Sequence, residues 1–229
     1  ISKEEIQIKK DFLNKFIESG FPNRKQEDWK FLDISQIIKK NISNLSFFND
    51  YSIPNQIDQS IFVDGLEHNK IIFINGRIEK IDFSYEDQNK IEIKDEIKKD
   101  ISYNYENSLI DLNSAFTHKV FKIFIKKNYS LKKPLIIYHS TNDKIKSTNI
   151  NLRLDFELGE NSCLKLIDYF ANTTTKNLIN IFYNFNLEKD SILKNYKIDK
   201  FINNNLKYSF NNIEQGNNSV SETFILSAG

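Results

Sequence analysis

Apolar residues in the first forty positions recur at helical intervals. Ile6, Phe12, Leu13, Phe16 and Ile17 fall on one stripe, and Gly20 followed by Pro22 punctuates its end, which predicts an amphipathic helix. Asp33–Lys40 places Ile34, Ile37 and Ile38 on one face, with Asp33 or Ser35 as the cap of a second, shorter helix. Between Asn41 and Asn69 the chain is polar and aperiodic, with Phe47, Phe48 and Ile53 as anchors, and reads as an irregular connection. The pattern then changes period. Ile71-Ile72-Phe73-Ile74 runs into Asn75-Gly76, the strongest short hairpin dipeptide, and Arg77 to Ile81 alternates beyond it. Ile91 to Lys99 is a charged stretch with no element assigned, and Ser108–His118 reads as a short helix through Leu109, Ile110, Leu112, Ala115 and Phe116.

From Lys119 onward, strand-like runs follow at 119–125, 134–140, 150–158, 163–170, 178–187, 191–199, 206–214 and 219–226. Leu152, Leu154, Phe156 and Leu158 alternate with Asn151, Arg153, Asp155 and Glu157, the signature of a sheet with one buried face. The spacing adds more than the strands do. Leu158-Gly-Glu-Asn-Ser-Cys-Leu-Lys165 aligns with Leu187-Glu-Lys-Asp-Ser-Ile-Leu-Lys194 at an offset of 29, and Asn218-Ser219-Val220 follows Asp190-Ser191-Ile192 by 28. An Asn/Asp-Ser pair is turn chemistry, because these short side chains bond to nearby backbone, and its recurrence predicts the coils of a solenoid. Each coil would stack on the last at about 4.8 Å. A sandwich or barrel whose hairpins recur by coincidence is the alternative. The chain therefore divides into an N-terminal helical region with a β-hairpin, 1–118, and a β-helix core, 119–229, which is expected to be incomplete.

Charge and composition narrow the function classes. The chain has 32 basic and 31 acidic side chains in 229 residues, interspersed, so it lacks the basic excess on which polyanion binding runs, and no nucleic-acid partner is expected. No run of about 18 apolar residues and no apolar signal core near Ile1–Lys10 is present, so no membrane association is expected, and the location is expected to be intracellular and cytoplasmic. A single cysteine, Cys163, rules out an internal disulfide or a cysteine-built zinc site. Ile, Asn and Lys together make 94 residues and Lys outnumbers Arg 29 to 3, the bias of an AT-rich coding sequence rather than of a function. The absence of Met and the stop at Ser227-Ala228-Gly229 after a strand-like run suit a fragment of a longer reading frame.

Chemistry-bearing residues are sparse. Asp155 and Glu157 share a strand face opposite the Leu/Phe stripe, but a glycosidase needs a defined carboxylate separation across a cleft, and a solvated strand face has the same pattern. His68, His118 and His139 are scattered without metal-ligand spacing. Cys163, beside Ser162 at a strand start, reads as a buried structural thiol, with ligation at a partner interface as the minor alternative. Six glycines form neither a GxGxxG nor a P-loop pattern, so no ATPase role is assigned to the chain itself. No catalytic, cofactor-binding or metal-ligating residue is singled out.

The segment Gly20-Phe-Pro-Asn-Arg-Lys-Gln-Glu-Asp-Trp-Lys-Phe-Leu-Asp33 stands apart: it holds the only Trp among turn formers and charges. Trp29 and Phe31 would anchor the helical segment, with Arg24 and Glu27 available to pair. The pattern of Gly20, Phe21, Pro22, Arg24, Glu27, Trp29, Lys30, Phe31 and Asp33 resembles the N-terminal signature of the SufD family, scaffold subunits of the SUF iron–sulfur cluster assembly system. Similarity continues in order through Phe73-Ile74-Asn75-Gly76-Arg77, Leu112-Asn113-Ser114-Ala115-Phe116, Pro134-Leu135-Ile136-Ile137, Leu166-Ile167-Asp168-Tyr169-Phe170 and Leu178-Ile179-Asn180, and so covers nearly the whole chain. Leu32 stands where Thr is common, and Asp168 where Glu is.

The resemblance implies a right-handed parallel β-helix preceded by an α-helical region, truncated before a C-terminal helical region. It implies a non-enzymatic scaffold of the SufBCD complex, with a SufB-like subunit and a SufC-like ATPase as partners. The iron–sulfur cluster would be assembled in the complex, with no cofactor held by this chain. No residue matches the family's late core histidine, and none is carried over. A SufB-type subunit and a β-helix carbohydrate-active or carbohydrate-binding protein are the alternatives.

Overall fold

The computed structural model describes residues 2–47, 57, 59–96, 107–142, 144–170, 176–200 and 205–228. The expected anchors Phe48 and Ile53 lie outside them. The protein is mainly β: two facing sheets form about three turns of a β-solenoid from residue 120 to 227, with a few helices N-terminal to it. The strands are β1 (Asn69–Ile74), β2 (Arg77–Asp82), β3 (Ile91–Glu96), β4 (Val120–Ile125), β5 (Leu135–Ser140), β6 (Asn149–Leu158), β7 (Cys163–Phe170), β8 (Leu178–Leu187), β9 (Ile192–Lys200), β10 (Leu206–Gln215) and β11 (Val220–Ala228). One sheet runs β11-β9-β7-β5-β1-β2 and the other β10-β8-β6-β4-β3. Successive strands from β4 onward alternate between sheets, and each pairs in parallel with the strand one coil away.

The register reproduces the sequence repeat. Leu158 pairs with Leu187 and Cys163 with Ile192, an offset of 29, while Leu178 pairs with Leu206 and Ile192 with Val220, an offset of 28. The turn explains why Asn or Asp recurs. Asn161, Asp190 and Asn218 all adopt φ 56°, a left-handed conformation that short polar side chains tolerate. Asn128, with φ 57°, extends the row one coil earlier. Coils are tied through these turns by backbone bonds: Asn128 N to Glu160 O (2.7 Å), Asn161 N to Lys189 O (3.1 Å) and Asp190 N to Asn217 O (2.9 Å).

Between the sheets, the Leu152, Leu154, Phe156, Leu158 row packs with Leu164, Leu166, Ile181, Tyr183 and Phe185 in one continuous core. The hairpin forms at Asn75-Gly76, both with positive φ (53° and 77°), as a type I′ turn requires. Its strand β1 joins the solenoid sheet in parallel with β5, and the unassigned charged stretch is β3, antiparallel to β4. Both sheets thus extend N-terminally beyond residue 119.

Among the described residues, three α-helices form the second layer: α1 (Lys3–Ser19), α2 (Ile34–Asn41) and α3 (Ser108–Phe116). Ser2 caps α1 by accepting from Glu5 N, and Gly20 ends it with φ 66°. Asp33, rather than Ser35, caps α2, accepting from Gln36 N at 2.9 Å. The helices share a core of Phe16, Ile34, Ile38, Ile42, Leu109 and Leu112 with Leu178 of β8. The α1 stripe is only partly covered: Phe16 is buried, whereas Ile17 is 66% exposed.

Candidate functional site

The inner faces of β7 and β9 set the most unusual chemistry of the molecule. Alternation from Leu164 and Leu166 carries Asp168 inward, and alternation from Leu193 carries Asn195, Lys197 and Asp199 inward. Opposite them, β10 presents Lys207, Ser209 and Asn211. An interior lined by hydrocarbon at Leu152–Leu158, Leu164 and Leu166 therefore becomes polar at His139 and Asp168 and onward to β9 and β10.

Asp168 is the hub, with no solvent exposure. Its Oδ1 lies 2.7 Å from His139 Nε2, and its Oδ2 lies 3.9 Å from Lys207 Nζ and 4.0 Å from Lys197 Nζ. The two lysine distances are charge contacts rather than hydrogen bonds, and neither oxygen has a hydrogen-bond partner of good geometry. His139 Nε2 is also 3.1 Å from the Tyr183 hydroxyl, and its ring is stacked between Phe73 and Phe170, its register partners. Lys207 meets Asp199 Oδ1 at 2.5 Å, and Lys197 donates to Ser209 Oγ at 2.7 Å and Asn211 Oδ1 at 2.9 Å while lying over the Tyr183 ring.

Burial opposes the charge on both Asp168 and Lys197, and the balance against their neighbours falls differently for the two. For Asp168 burial pushes the carboxyl up, but Lys207, His139 and Lys197 together hold it well below the usual carboxylate range. For Lys197 burial prevails over Asp168, and with Lys207 nearby the amine is pushed down to about 8. Burial, then Asp168, drives the Tyr183 phenol well up.

The other sequence candidates fall elsewhere. Asp155 is not on a solvated face: it is 3% exposed and paired with Arg153 (Nε to Oδ1 3.1 Å), itself 1% exposed and stacked on Phe182. This pair sits on the outer face of β6, where α3 also docks through Asn113, whose Nδ2 donates to Leu152 O (3.1 Å) and Asn180 O (2.8 Å). Asn180 answers by donating to Leu109 O at 2.7 Å. Glu157 is half-buried. His68 is buried, hydrogen-bonded to Tyr138 and to Leu66 O. His118 is exposed and lines a cleft of about 540 Å³ with Arg77, Lys119, Asp95 and Phe121.

Cys163 is half-exposed at the start of β7, not buried, because its position in the alternation points away from the core that Leu164 enters. Trp29 closes a 3-10 turn, Glu27–Trp29, and packs in the helical core with its ring 5.9 Å from that of Tyr208. Phe31 anchors nothing: it is 86% exposed, under the Lys30 ammonium, and Glu27 pairs with Lys30 at 2.9 Å rather than with Arg24.

Sequence reading passed over the Asp168–Lys197 cluster, although the signal was present. The 29-residue offset maps Asp168 onto Lys197 and Leu166 onto Asn195, so polar residues occupy core positions of the repeat. Among the described residues no three His, Cys, Asp or Glu side chains converge as a metal site, and no helix is long and apolar enough to cross a membrane. Neither a family model nor a curated protein matches the chain.

Proposed function

We propose that the chain is a SufD-like scaffold subunit of the SUF iron–sulfur cluster assembly system, acting in the cytoplasm. In this reading it has no catalytic activity of its own. It pairs along its β-helix with a SufB-type subunit, and a SufC-type ATPase drives assembly, with the cluster as cargo rather than as a cofactor of this chain. The observation that carries the reading is the agreement between resemblance and architecture: the matching segments run in order through nearly the whole chain and fall in the helices, turns and strands of a β-solenoid flanked by helices. Asp33 caps α2, Asn75-Gly76 turns the hairpin, Asn113 bonds α3 to the sheet, and Leu135–Ile137 form β5. A polysaccharide enzyme finds less support, since Asp155 is locked in a buried ion pair.

The test is co-expression of the complete reading frame with SufB-type and SufC-type partners, followed by mass determination of what co-purifies. A stable complex containing both supports the scaffold reading. A well-folded protein that retains neither partner overturns it.

A further inference from the structure

The outer face of the β11-β9-β7-β5-β1-β2 sheet carries two apolar columns. One runs Ile136, Ile167, Tyr196, Phe224 and the other Tyr138, Tyr169, Ile198, Leu226, each residue in register with the next. Toward β11 the columns are open, with Tyr196, Phe224 and Leu226 exposed. Toward β1 they are covered by a strap, residues 59–68, which lays Ile61, Phe62 and Val63 against Ile72, Ile136, Tyr138 and Tyr169. Packing alone makes it a weak cover: those three side chains are only half-buried, and Asp64 to Glu67 stand in solvent. A directed chain of hydrogen bonds fastens it. Val63 N donates to Tyr138 Oη at 3.1 Å, Tyr138 Oη lies 2.9 Å from His68 Nε2, and His68 Nδ1 lies 2.6 Å from Leu66 O. Leu66 O can only accept, so Nδ1 carries the hydrogen, and the neutral ring presents Nε2 as acceptor to the Tyr138 hydroxyl. His68 is 8% exposed and Tyr138 fully buried. A second ring proton, on Nε2, would face that hydroxyl and turn its hydrogen toward Val63 N–H, donor against donor, while placing a charge where water is scarce.

We infer that residues 59–68 form an acid-released strap: protonation of His68 breaks its bond with Tyr138 and lifts the strap from the apolar face beneath. Release would join the covered and open parts of the two columns into one continuous apolar surface. The charged groups on the strap and on the elements beside it are of both signs. Asp64 and Glu67 lie on the strap, Lys70 begins β1 with its ammonium over the Phe62 ring, and Lys133, just before β5, pairs with Glu67 at 2.5 Å. Glu86 accepts from Asn69 Nδ2 at 2.6 Å and from Lys133 N at 3.1 Å. The phenols facing the ring are Tyr138 of β5 and, beyond it, Tyr169 of β7. Burial pushes the Tyr138 phenol up, so it remains an O–H donor throughout. Among these side-chain types only histidine ordinarily changes charge between about pH 5 and 8.

Amide hydrogen exchange of the folded protein tests this, read by mass spectrometry at about pH 7.5 and about pH 5.5 and corrected for the intrinsic rates. The open population of the 59–68 peptide should rise about fivefold or more at the lower pH, the weight of one lost hydrogen bond, while peptides from β6 and β8 keep their protection. Binding of the apolar dye anilinonaphthalene sulfonate should rise in parallel. His68→Gln, which cannot gain charge, should abolish the rise. Tyr138→Phe, which removes the hydroxyl at the centre of the chain, should leave the strap open at both pH values. A folded wild-type protein whose strap is equally protected at both overturns the proposal. So does a rise that persists in His68→Gln, which assigns it to another group, and so does a loss of protection shared equally by β6 and β8, which is general acid unfolding.

Discussion

Asn113 joins the helical layer to the solenoid through one side chain, and its removal should be expensive. The residue is 1% exposed; its Nδ2 donates to Leu152 O and Asn180 O, and its Oδ1 accepts from Thr117 Oγ1 at 3.0 Å. In Asn113→Ala the two bonds to strand carbonyls are lost, each worth about 1 kcal/mol net, and the buried Thr117 hydroxyl loses its acceptor at a cost of about 1 kcal/mol more. The expected loss is about 3 kcal/mol. Asn113→Asp should cost at least as much at neutral pH, because a carboxylate turned toward two carbonyl oxygens is a buried charge without a donor. Urea unfolding followed both by fluorescence and by far-UV circular dichroism reads this directly. Trp29, the sole tryptophan, packs in the same cluster as Leu109 and Leu112 of α3, so fluorescence reports the helical layer while far-UV dichroism reports helices and strands together. Wild-type transitions should coincide, and in Asn113→Ala fluorescence should change at lower urea. A loss below about 1 kcal/mol with coincident transitions would refute the view that Asn113 couples the layers.

Five other substitutions separate packing from appearance. Gly159→Ala would put a methyl carbon 2.6 Å from Lys127 N and 3.0 Å from Ile125 O, so it should cost about 2 kcal/mol in a thermal melt. Glu188 occupies the same turn position one coil on, and Glu188→Ala should cost under about 1 kcal/mol, since its side chain is seen to accept only from Glu160 N; equal losses would show that the close approach at Gly159 is not limiting. Asp168 and Glu86 are both held below their ordinary values of 3.8 and 4.5, Asp168 by charges that outweigh burial and Glu86 by bonds from Tyr129, Lys132, Asn69 and Lys133 that do the same. Their stabilisation is therefore complete above the unfolded values and lost as pH falls below them, and Asp168→Asn should flatten the decline of unfolding free energy below pH 3.8; an unchanged acid limb would remove Asp168 from that account. Trp29→Ala should cost about 2 kcal/mol, less than full burial would imply, and Phe31→Ser under about 0.5 kcal/mol; reversed magnitudes in denaturant melts would show that Phe31 is the anchor.

Local signals in the sequence settle much of the architecture. Period-two alternation and Asn/Asp-Ser turns located β4 to β11 to within a residue or two, because each coil needs a left-handed turn residue at the same point and the side chain of Asn or Asp supplies it cheaply. The Asn75-Gly76 turn was equally legible, and the α2 cap was legible as Asp33 or Ser35, since both depend on neighbours a few residues away. Tertiary structure decided the rest. The charged strand β3 becomes a strand by pairing with β4, and β1 finds β5 across a long stretch of chain, partners that no local pattern names. Arg153 and Asp155 read as solvent-facing because alternation gives the phase of a strand but not what covers its second face, and here they are buried as an ion pair. Phe31 reads as an anchor and stands in solvent for the same reason. The phase that buries Leu164 and Leu166 also buries Asp168, so its inward direction was written in the sequence; the groups that make it tolerable there, His139, Lys197 and Lys207, come from three other strands and meet only when the coils stack.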